Sequence, residues 1–411
     1  MKTAILSVGT ELLFGQIVNT NTVYLSQQLN LLGHDVMYHY TVGDNPKRLA
    51  DMIELALEDC DIVLTTGGLG PTQDDMTKEI ACQVMGDELV MMDDVMEELL
   101  AMFKDTGRKM TENNKKQAIM PSRAVVFHND AGTAPGFALE KDGKYIICMP
   151  GPPREMTRMF EKSVKPFLES LSEDVIYYRM IRTFGIGESQ LETELLDLID
   201  VQTDPTLATY AKEGESSVRI ASKRATLEEA KAAVDDMLEK VRERIGDYIY
   251  SCDDEELVQV VCNKLIDRGL TLSSAESCTG GLFAGTVTAI AGVSACFDRG
   301  LVTYSNQAKM DELGVKAETL EKYGAVSAET AMEMAEGLHR VSGSDVCVSV
   351  TGIAGPGGGS EEKPVGLVYV GLYYDGEVSY KELCLRNTGR KWIRHRSVLN
   401  MLDMINKCLL T

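Results

Sequence analysis

Residues 273–281, Ser-Ser-Ala-Glu-Ser-Cys-Thr-Gly-Gly, connect an apolar strand signal at 269–272 to a run of small residues at 282–290 that predicts a helix. A helix that begins at paired glycines presents backbone N–H groups, and the positive end of its dipole, to whatever lies above the turn. A hydroxyl at Ser277 would therefore lie beside oxyanion donors. The same residues also fit an N-capped helix with Ser277 or Thr279 as the cap, so the surrounding sequence has to separate the two interpretations.

The composition is typical of a globular chain with more than one domain. The 411 residues are 44% hydrophobic and 25% charged, and this length predicts two or three domains. No run of about 18 apolar residues occurs, so neither a membrane span nor a membrane partner is expected. Residues 1–8 indicate a strand and not a signal peptide. The ten cysteines are scattered without C-x-x-C pairs, which is typical of a reducing cytoplasm and argues against structural zinc.

The net charge of −22 makes the chain strongly acidic. Because nucleic acids are held by lysine and arginine, no nucleic-acid partner is expected. A small anionic substrate would need a local cationic pocket, a helix N-terminus or a metal ion.

Strand and helix signals alternate through the first 170 residues. Strands are predicted at 4–8, 36–42 and 62–66, and helices at 21–32 and 47–57. This order predicts an α/β domain with a mainly parallel sheet and helices on both faces. Ligands of such sheets bind beyond the carboxyl ends of the strands, so the loops at 8–21 and 65–75 are the candidate binding segments.

The loop at 65–75, Thr-Thr-Gly-Gly-Leu-Gly-Pro-Thr-Gln-Asp-Asp, leads from an apolar strand into a predicted helix. Gly67, Gly68 and Gly70 allow a backbone that wraps a phosphate. Asp74 and Asp75 offer oxygen ligands to a hard divalent cation. A Gly-Pro turn followed by acidic helix-capping residues accounts for the same residues without a ligand, so both interpretations stay open.

Three segments resemble the N-terminal domain of the CinA family. They are the loop at 65–75, Gly-Thr-Glu-Leu-Leu at 9–13 and Met-Pro-Gly-Pro-Pro-Arg-Glu-Met at 149–156. The resemblance implies a MoaB/MogA-like fold over residues 1–170 that, in some family members, hydrolyses ADP-ribose with a divalent metal such as Mg²⁺. It places the metal at Asp74 and Asp75. The residues implied to bind the nucleotide are Thr10, Glu11, Asn21, Thr66, Gly67, Gly68, Gly70, Pro150 and Gly151.

Residues 171–250 are predicted to form a smaller α+β unit. Strands at 175–181 and 217–222 alternate with helices at 190–199 and 227–245, an order that resembles the KH-like linker domain of the CinA family. A KH module that clamps nucleic acid needs a G-x-x-G loop, and Gly185-Ile186-Gly187 does not match it. The unit is therefore interpreted as a linker or dimer-forming domain, and a homodimer is the expected assembly.

Lys309 is the candidate base for Ser277. A serine needs a base before it can act as a nucleophile, and His339 and His395 lie in predicted helices without an evident acidic partner. Lys309 lies in a mostly uncharged segment with Tyr304, where desolvation would lower its pKa from about 10.4 towards neutrality. A Ser–Lys pair, with Tyr304 positioning or relaying the proton, can carry out acyl transfer on an amide. A surface lysine early in a helix is the alternative interpretation.

Cys278 is the rival nucleophile, because thiolates are intrinsically better nucleophiles than hydroxyls. No histidine flanks it in the motif, and after a strand the neighbouring side chain points away. For a phosphorylated substrate, the glycines at 352–359 would supply backbone N–H groups. Arg390 or Arg394 would add charge-assisted hydrogen bonds.

Five segments resemble the C-terminal CinA domain, namely 275–281, 304–309, 324–327, 351–356 and 363–366. In that family this domain is the nicotinamide-mononucleotide deamidase called PncC. The resemblance therefore implies an α/β deamidase domain over 251–411 that needs no cofactor, with Ser277 as nucleophile, Lys309 as base and Tyr304 as its neighbour. The residues implied to bind substrate are Glu276, Thr279, Gly280, Gly281, Thr351, Gly352, Gly355, Arg390 and Arg394.

The chain departs from the family before the last helix. The family commonly has Gly-Asp-Arg or Gly-Asn-Arg there, whereas this chain has Asn387-Thr388-Gly389-Arg390. The arginine matches and the preceding turn does not.

Two hypotheses about function remain. The first is a bifunctional cytoplasmic hydrolase of pyridine-nucleotide salvage that cleaves ADP-ribose in its N-terminal domain and deamidates nicotinamide mononucleotide in its C-terminal domain. In the second, the N-terminal domain only binds a pterin-like or nucleotide ligand, and the chain is a competence-associated regulator. Both predict the same glycine loops, so the sequence does not separate them.

Overall fold

The computed structural model describes residues 1–105, 107, 109–171, 175–212 and 214–410. The chain divides into two compact units, one of Met1–Tyr177 with Lys223–Ala230 and the other of Tyr178–Ser222 with Lys231–Thr411. The division into three domains at 170 and 250 stays a prediction. Among the described residues, no helix is long and apolar enough to cross a membrane.

The N-terminal domain consists of strands and helices in alternation, followed by a second set of strands. Its strands are β1 (Lys2–Val8), β2 (Asp35–Val42), β3 (Ile62–Thr66), β4 (Leu89–Met91), β5 (Ile119–Pro121), β6 (Val125–Phe127), β7 (Gly136–Lys141) and β8 (Lys144–Met149). Its helices are α1 (Thr10–Leu13), α2 (Thr20–Leu31), α3 (Pro46–Asp59), α4 (Thr77–Val84), α5 (Asp93–Asp105), α6 (Pro153–Met159) and α7 (Lys165–Ser170). A 3₁₀ helix (Glu112–Ala118) precedes β5, and a π-helical segment (Phe160–Val164) joins α6 to α7.

The six-stranded sheet of this domain has the order β2-β1-β3-β8-β7-β6. The first four strands are parallel to one another, β7 is antiparallel to β8, and β6 is antiparallel to β7. Successive residues of β3 point to opposite faces, so Val63 packs in one hydrophobic core and Leu64 in the other. The predicted mainly parallel sheet with helices on both faces is therefore confirmed. The register brings Ser7, Thr66 and Met149 to one edge of the sheet.

The middle part of the chain is an antiparallel sheet with two helices. Its elements are β9 (Val175–Thr183), α8 (Glu188–Asp200), β10 (Thr206–Lys212), β11 (Glu215–Arg224), α9 (Leu227–Ile245) and β12 (Ile249–Ser251), and the strand order is β10-β11-β9-β12. The predicted β-α-β-α order missed β10 and β12. Among the described residues β10 is an edge strand, paired with β11. Such strands carry weak hydrophobic alternation because one edge and much of one face meet solvent.

The C-terminal domain is a mixed five-stranded sheet with helices around it. Its strands are β13 (Leu272–Glu276), β14 (Phe297–Val302), β15 (Val346–Gly352), β16 (Leu367–Tyr374) and β17 (Glu377–Cys384). Its helices are α10 (Leu257–Arg268), α11 (Leu282–Thr288), α12 (Asn306–Leu313), α13 (Ala317–Tyr323), α14 (Ala328–Ser342) and α15 (Arg390–Cys408). The order is β14-β13-β15-β16-β17, with the first three strands parallel.

One boundary in this domain differs from the prediction. The sequence places a strand at 269–272 and a turn from Ser273, whereas β13 continues to Glu276. The strand lies between β14 and β15, so its backbone is paired on both sides. Ser273 is fully buried there because its hydroxyl has a partner, the hydroxyl of Ser344 at 2.7 Å. The polar turn is therefore short and consists of Ser277 to Gly281.

Candidate active sites

The turn after β13 places Ser277 at the carboxyl end of the central parallel strands. The Ser277 N–H donates to the carbonyl of Val350 at 3.0 Å, which ties the turn to the end of β15. Gly280 and Gly281 follow with φ values of +57° and +87°, a left-handed conformation that other residues adopt at a cost. Helix α11 then begins directly after Gly281. The two glycines therefore allow the tight turn that leads from Ser277 into α11.

Lys309 is the side chain that contacts the Ser277 hydroxyl. It lies in the first turns of α12, which Ser305 caps by accepting a hydrogen bond from the Ala308 N–H. Its Nζ is 3.1 Å from Ser277 Oγ, 2.8 Å from the Thr303 carbonyl and 3.4 Å from the Tyr304 carbonyl. The lysine is 1% exposed. The predicted Ser277–Lys309 pair is thus brought together in space.

The surroundings of Lys309 favour a neutral amine. No salt bridge to its Nζ occurs in the part of the chain that the structure describes. Burial lowers the pKa of Lys309 below its usual value, since an uncompensated charge is costly in a desolvated site. A neutral amine has two N–H groups and one lone pair. The carbonyls of Thr303 and Tyr304 can accept the two N–H groups, which leaves the lone pair for the Ser277 hydroxyl.

Tyr304 contacts this pair through a different atom from the one predicted. Its backbone carbonyl, and not its hydroxyl, contacts Lys309. The side chain is 60% exposed, and its hydroxyl accepts a hydrogen bond from Arg390 Nη2 at 3.4 Å. Tyr304 therefore contributes to the rim of the site, and its hydroxyl contacts Arg390 and not the lysine. Thr303 was not among the predicted site residues, because it contacts Lys309 through its backbone carbonyl and not through its side chain.

The rival nucleophile Cys278 is buried, with 4% of its surface exposed. Burial raises the pKa of its thiol to about 12, so the thiol stays protonated at neutral pH. Because the thiolate is the nucleophilic form, this environment favours Ser277 over Cys278.

Glu276 was predicted to bind substrate, but its carboxylate is directed to the start of α11. It is 1% exposed, and its carboxylate accepts hydrogen bonds from the backbone N–H groups of Phe283 at 3.0 Å and Ala284 at 2.8 Å. These N–H groups belong to the first turn of α11, which has no acceptor within the helix for them. The carboxylate therefore caps α11 and fixes the helix to the strand that carries Ser277.

Glu276→Ala is expected to lower the free energy of unfolding, by about 1–3 kcal/mol for each N–H group left without a partner. Glu276→Gln is the matched variant, because its amide oxygen keeps one acceptor. Its free energy of unfolding should fall by less than that of Glu276→Ala. The measurement is chemical unfolding together with KM for the substrate that the family resemblance implies. A raised KM with unchanged stability would instead indicate contact with substrate.

Two arginines of α15 lie around the turn. Arg394 donates from Nε to the Thr279 carbonyl at 3.1 Å, and its Nη2 donates to the same oxygen. Arg390 donates from Nη1 to the Gly355 carbonyl at 2.9 Å and lies exposed at the start of the helix. Arg394 thus fixes the turn at 277–281 through the Thr279 carbonyl. Arg390 connects the loop around Gly355 to the Tyr304 side chain.

The remaining predicted residues of this site lie at the end of β15. Thr351 is buried, and its hydroxyl donates to the Ala325 carbonyl at 2.6 Å. Gly352 pairs with Val368 of β16, where a Cβ would meet the Val368 side chain at 2.6 Å. These residues support the loop at 353–360, of which Gly355 is the part that contacts Arg390.

The N-terminal candidate site is a glycine turn at the carboxyl end of β3. Gly67 and Gly68 have φ values of +107° and +69°. A Cβ on Gly67 would lie 2.2 Å from the Val8 carbonyl, and one on Gly68 would lie 2.2 Å from Thr77 Oγ1. Position 67 therefore requires glycine for two reasons, namely its positive φ and the lack of space for a Cβ. At Gly70, a Cβ would lie 2.5 Å from Asp75 Oδ2.

Asn21, Thr66, Pro150 and Gly151 form one hydrogen-bonded group beside this turn. Asn21 Nδ2 donates to Thr66 Oγ1 and to the Gly151 carbonyl, both at 2.8 Å. The Thr66 hydroxyl donates to the Pro150 carbonyl at 3.0 Å. Residues from three distant places in the sequence are therefore brought together, as predicted for one site.

Thr10 and Glu11 approach from the loop after β1. The Thr10 hydroxyl donates to Asp44 Oδ2 at 2.7 Å, which fixes this loop to the end of β2. The Glu11 carboxylate lies over Gly9, where a Cβ would meet its Oε1 at 2.7 Å. Glu11 stays exposed and available to a ligand.

Asp74 and Asp75 are adjacent to the glycine turn, where Asp74 is exposed and Asp75 is half-buried. Thr72 donates from its hydroxyl to both carboxylates and from its N–H to Asp75 Oδ2 at 2.9 Å. The Thr72 hydrogen bond lowers the pKa of Asp74, so it stays ionised. Lys116 donates to the Asp75 carbonyl and forms a salt bridge with Glu79 at 3.4 Å.

A divalent cation fits this pair if the substrate completes its coordination. No group of three or more His, Cys, Asp or Glu side chains suited to a metal occurs among the described residues. Mg²⁺, however, is commonly held by one or two carboxylates together with phosphate oxygens and water. Two carboxylates beside a glycine turn offer that donor set.

Family models match the whole organisation of the chain. A model described as the CinA C-terminal domain matches residues 254–409, and one described as a probable molybdopterin binding domain matches residues 4–170. A third, the damage-inducible protein CinA KH domain, matches residues 178–251. The fold classes predicted for the three parts of the chain are therefore confirmed.

Relatives match over nearly their full length. A putative competence-damage inducible protein of Acetivibrio thermocellus is 49% identical over 407 residues, covering 99% of this chain and 98% of the relative. A CinA-like protein of Dictyoglomus turgidum is 48% identical over 410 residues, covering 100% of both chains. The crystal structure of the competence/damage inducible protein CihA from Agrobacterium tumefaciens is 47% identical, covering 38% of this chain and 98% of that one, with a TM-score of 0.36. The chain belongs to the CinA family, with a MoaB/MogA-like domain, a KH-like domain and a C-terminal CinA domain in that order.

Proposed function

We propose that the C-terminal domain hydrolyses the carboxamide of nicotinamide mononucleotide, giving nicotinic acid mononucleotide and ammonia. The observation that carries the proposal is the contact of 3.1 Å between Ser277 Oγ and Lys309 Nζ, with the lysine buried at 1% exposure. A serine beside a desolvated lysine is an activated nucleophile. An amide carbon is a reaction centre that such a pair can attack.

In the first half-reaction, Ser277 Oγ attacks the carboxamide carbon while Lys309 Nζ takes the hydroxyl proton. The backbone N–H groups of Thr279 and Gly281 stabilise the oxyanion, at about 3 kcal/mol for one good donor, whereas the N–H of Gly280 is bonded to the Ser277 carbonyl. The C–N bond then breaks, Lys309 gives its proton to the leaving nitrogen, and ammonia departs. The product is an ester between Ser277 and the nicotinoyl group.

In the second half-reaction, Lys309 is neutral again and takes a proton from water. The resulting hydroxide adds to the ester carbon, the bond to Ser277 Oγ breaks, and Lys309 returns the proton to the serine. Arg394 acts as a positioning residue in both steps because it holds the Thr279 carbonyl. The nucleotide phosphate is assigned to the glycine loop around Gly355 and to the exposed Arg390 beside it.

For the N-terminal domain, we propose hydrolysis of ADP-ribose to AMP and ribose 5-phosphate. The glycine turn at Gly67 and Gly68 would bind the pyrophosphate through backbone N–H groups. Asp74 and Asp75 would hold a divalent cation such as Mg²⁺, which offsets the phosphate charge and polarises the phosphorus centre when bound. Thr72 orients both carboxylates by hydrogen bonding and lowers the pKa of Asp74.

The test of both activities is product analysis. The purified full chain is incubated with nicotinamide mononucleotide or ADP-ribose, with and without divalent metal. We expect ammonia from the first substrate in either condition, and AMP from the second only with metal. Tight nucleotide or pterin binding without turnover would favour the alternative, in which the N-terminal domain is a binding module of a competence-associated regulator.

Asp75→Asn is expected to lower ADP-ribose cleavage by about 100-fold or more, because a neutral amide is a poor ligand for a hard cation. Deamidation should not change. The matched control is Asp94→Asn, which removes one exposed carboxylate from α5 of the same domain and should leave both rates intact. Full cleavage by the Asp75 variant, or by the wild type in excess chelator, would contradict the metal assignment.

The assembly and compartment belong to the same proposal. We expect a cytoplasmic homodimer that binds neither nucleic acid nor membrane, in keeping with the net charge of −22.

A further inference from the structure

Helix α15 presents one face to the candidate deamidase site and another to the middle part of the chain. Arg390 and Arg394 lie one turn apart on the first face, where they contact the loops of the site. Trp392, Arg396 and Leu399 follow one another at helical spacing on a different face. Both faces belong to the second compact unit of the chain. What holds the second face can therefore affect the position of the first.

Arg396 is the side chain that joins the second face to the middle part of the chain. Its Nη1 donates to the carbonyl of Gly214, in the turn between β10 and β11. Its guanidinium lies 5.1 Å from the centre of the Phe184 ring and 5.9 Å from that of the Trp392 ring. Phe184 directly follows β9 and packs, 4% exposed, in the C-terminal hydrophobic core. The middle part of the chain therefore surrounds Arg396 with an aromatic ring and a backbone acceptor.

Gly214 lies close against this arginine. Its φ is +97°, and a Cβ at this position would lie 2.7 Å from Arg396 Nη1 and 3.0 Å from Leu399 Cδ1. Any larger residue at position 214 would therefore displace either the turn or the guanidinium.

The charge of Arg396 is held without an acidic partner. No salt bridge to it occurs among the described residues, and the Asp403 carboxylate is paired with Lys381 and Lys407 instead. Arg396 Nε is buried and has no hydrogen-bond partner in the described part of the chain. Desolvation of a cation is costly, and an aromatic face and one carbonyl offset only part of that cost. For stability alone, an apolar side chain of similar volume would serve as well.

The first turn of α15 depends on contacts further along the helix. Arg390 is the first residue of the helix and is exposed. Its side chain contacts are the Gly355 carbonyl at 2.9 Å and the Tyr304 hydroxyl at 3.4 Å. Helix ends fray unless the adjoining turn is held. Trp392 lies in that turn and contacts Arg396, so the arginine connects the middle part of the chain to the start of the helix.

We propose that Arg396 is a positioning residue, through which the middle part of the chain holds the first turn of α15 and directs Arg390 at the phosphate of the deamidase substrate. The inference rests on the proposed deamidase function and assigns the middle part of the chain a role in its substrate specificity. Arg394 has its own two hydrogen bonds to the Thr279 carbonyl. Loss of Arg396 should therefore weaken recognition of the phosphate and leave the chemistry at the amide nearly intact.

The test measures binding in the Ser277→Ala background, so that turnover does not interfere. The full chain is titrated calorimetrically with nicotinamide mononucleotide and with nicotinamide riboside, which lacks the phosphate. We expect Arg396→Ala to weaken the nucleotide about 10-fold, as the loss of a charge-assisted hydrogen bond predicts, and the riboside by less than about 2-fold. With Ser277 present, KM for the nucleotide should rise about 10-fold while kcat stays within about 3-fold.

Gly214→Ala tests the same contact from its other side and leaves the C-terminal sheet untouched. It should also weaken the nucleotide more than the riboside. Combined with Arg396→Ala it should add little, because both changes remove one interaction. Lys407→Ala is the matched control, since it removes a cation from the other end of α15 while Asp403 keeps Lys381 as its partner. It should change neither affinity.

Equal weakening of the nucleotide and the riboside by Arg396→Ala would overturn the inference, because a merely structural role does not act through the phosphate. Unchanged affinities, or additive effects of the two substitutions, would overturn it as well. Absence of nucleotide binding in every variant would remove the inference together with the proposed activity. Phosphate-selective weakening without release of ammonia by the wild type would remove the activity and keep the inference. Ammonia release with equal weakening would do the reverse.

Discussion

Ser277→Ala is expected to lower kcat for deamidation of nicotinamide mononucleotide by at least about 10³-fold, because it removes the atom that attacks the amide. Lys309→Ala should lower it by about 10²–10⁴-fold, the usual contribution of a general base. The two side chains are 3.1 Å apart and act on the same proton. The double variant should therefore be little slower than the slower single variant.

Cys278→Ser is the matched control for Ser277→Ala. The thiol is 4% exposed and its pKa is raised to about 12, so we expect a rate within about 10-fold of the wild type. Mass spectrometry of acid-quenched enzyme should find the nicotinoyl adduct on Ser277. An active Ser277→Ala variant together with an inactive Cys278→Ser variant would identify the thiol as the nucleophile.

The sequence predicted the Ser277–Lys309 pair because each residue lies in a recognisable local pattern. Ser277 precedes two glycines at a helix start, and Lys309 follows a capping serine in a segment with few charges. The contact itself depends on β14 lying next to β13 in parallel register, with Glu276 opposite Val302. The α/β alternation predicts parallel strands without predicting which strands are neighbours.

The roles of Glu276 and Tyr304 depend on which atom faces the site, and sequence does not encode that directly. Glu276 precedes the nucleophile, which suggested a contact with substrate, but its side chain points to α11 because alternate residues of a strand face opposite sides. Tyr304 contacts Lys309 through its carbonyl. A backbone contact of this type is independent of the side chain and leaves no trace in the residue type.

In the N-terminal domain, the loops were predictable and their internal hydrogen bonds were not. Gly67 and Gly68 were found because glycine is the residue that tolerates their φ values. The orientation of the Asn21 amide depends on carbonyls at Pro150 and Gly151, more than a hundred residues away in the chain. Only the parallel pairing of β3 with β8 brings these groups together.

Lys309→Met is expected to raise the free energy of unfolding near neutral pH while it removes the deamidase activity. Burial lowers the pKa of Lys309 in the folded chain, whereas the unfolded value is about 10.4. Between the lowered pKa and about 10.4, the unfolded chain binds more protons at this residue. The free energy of unfolding therefore rises with pH across that window, and the cost of the lysine is greatest below it.

Methionine fills a similar volume without a titrating group, so this pH-dependent cost should disappear in the variant. Trp392 is the single tryptophan of the chain and packs against the C-terminal core, so its fluorescence reports urea unfolding of this domain. Lys322→Met, which removes an exposed lysine, is the control and should change stability by less than about 0.5 kcal/mol. In the wild type, kcat/KM should rise with pH through the lowered pKa, since the neutral amine is the base. A Lys309→Met variant that is less stable than the wild type at every pH, with the same slope, would mean that the lysine is charged and paired in the folded protein.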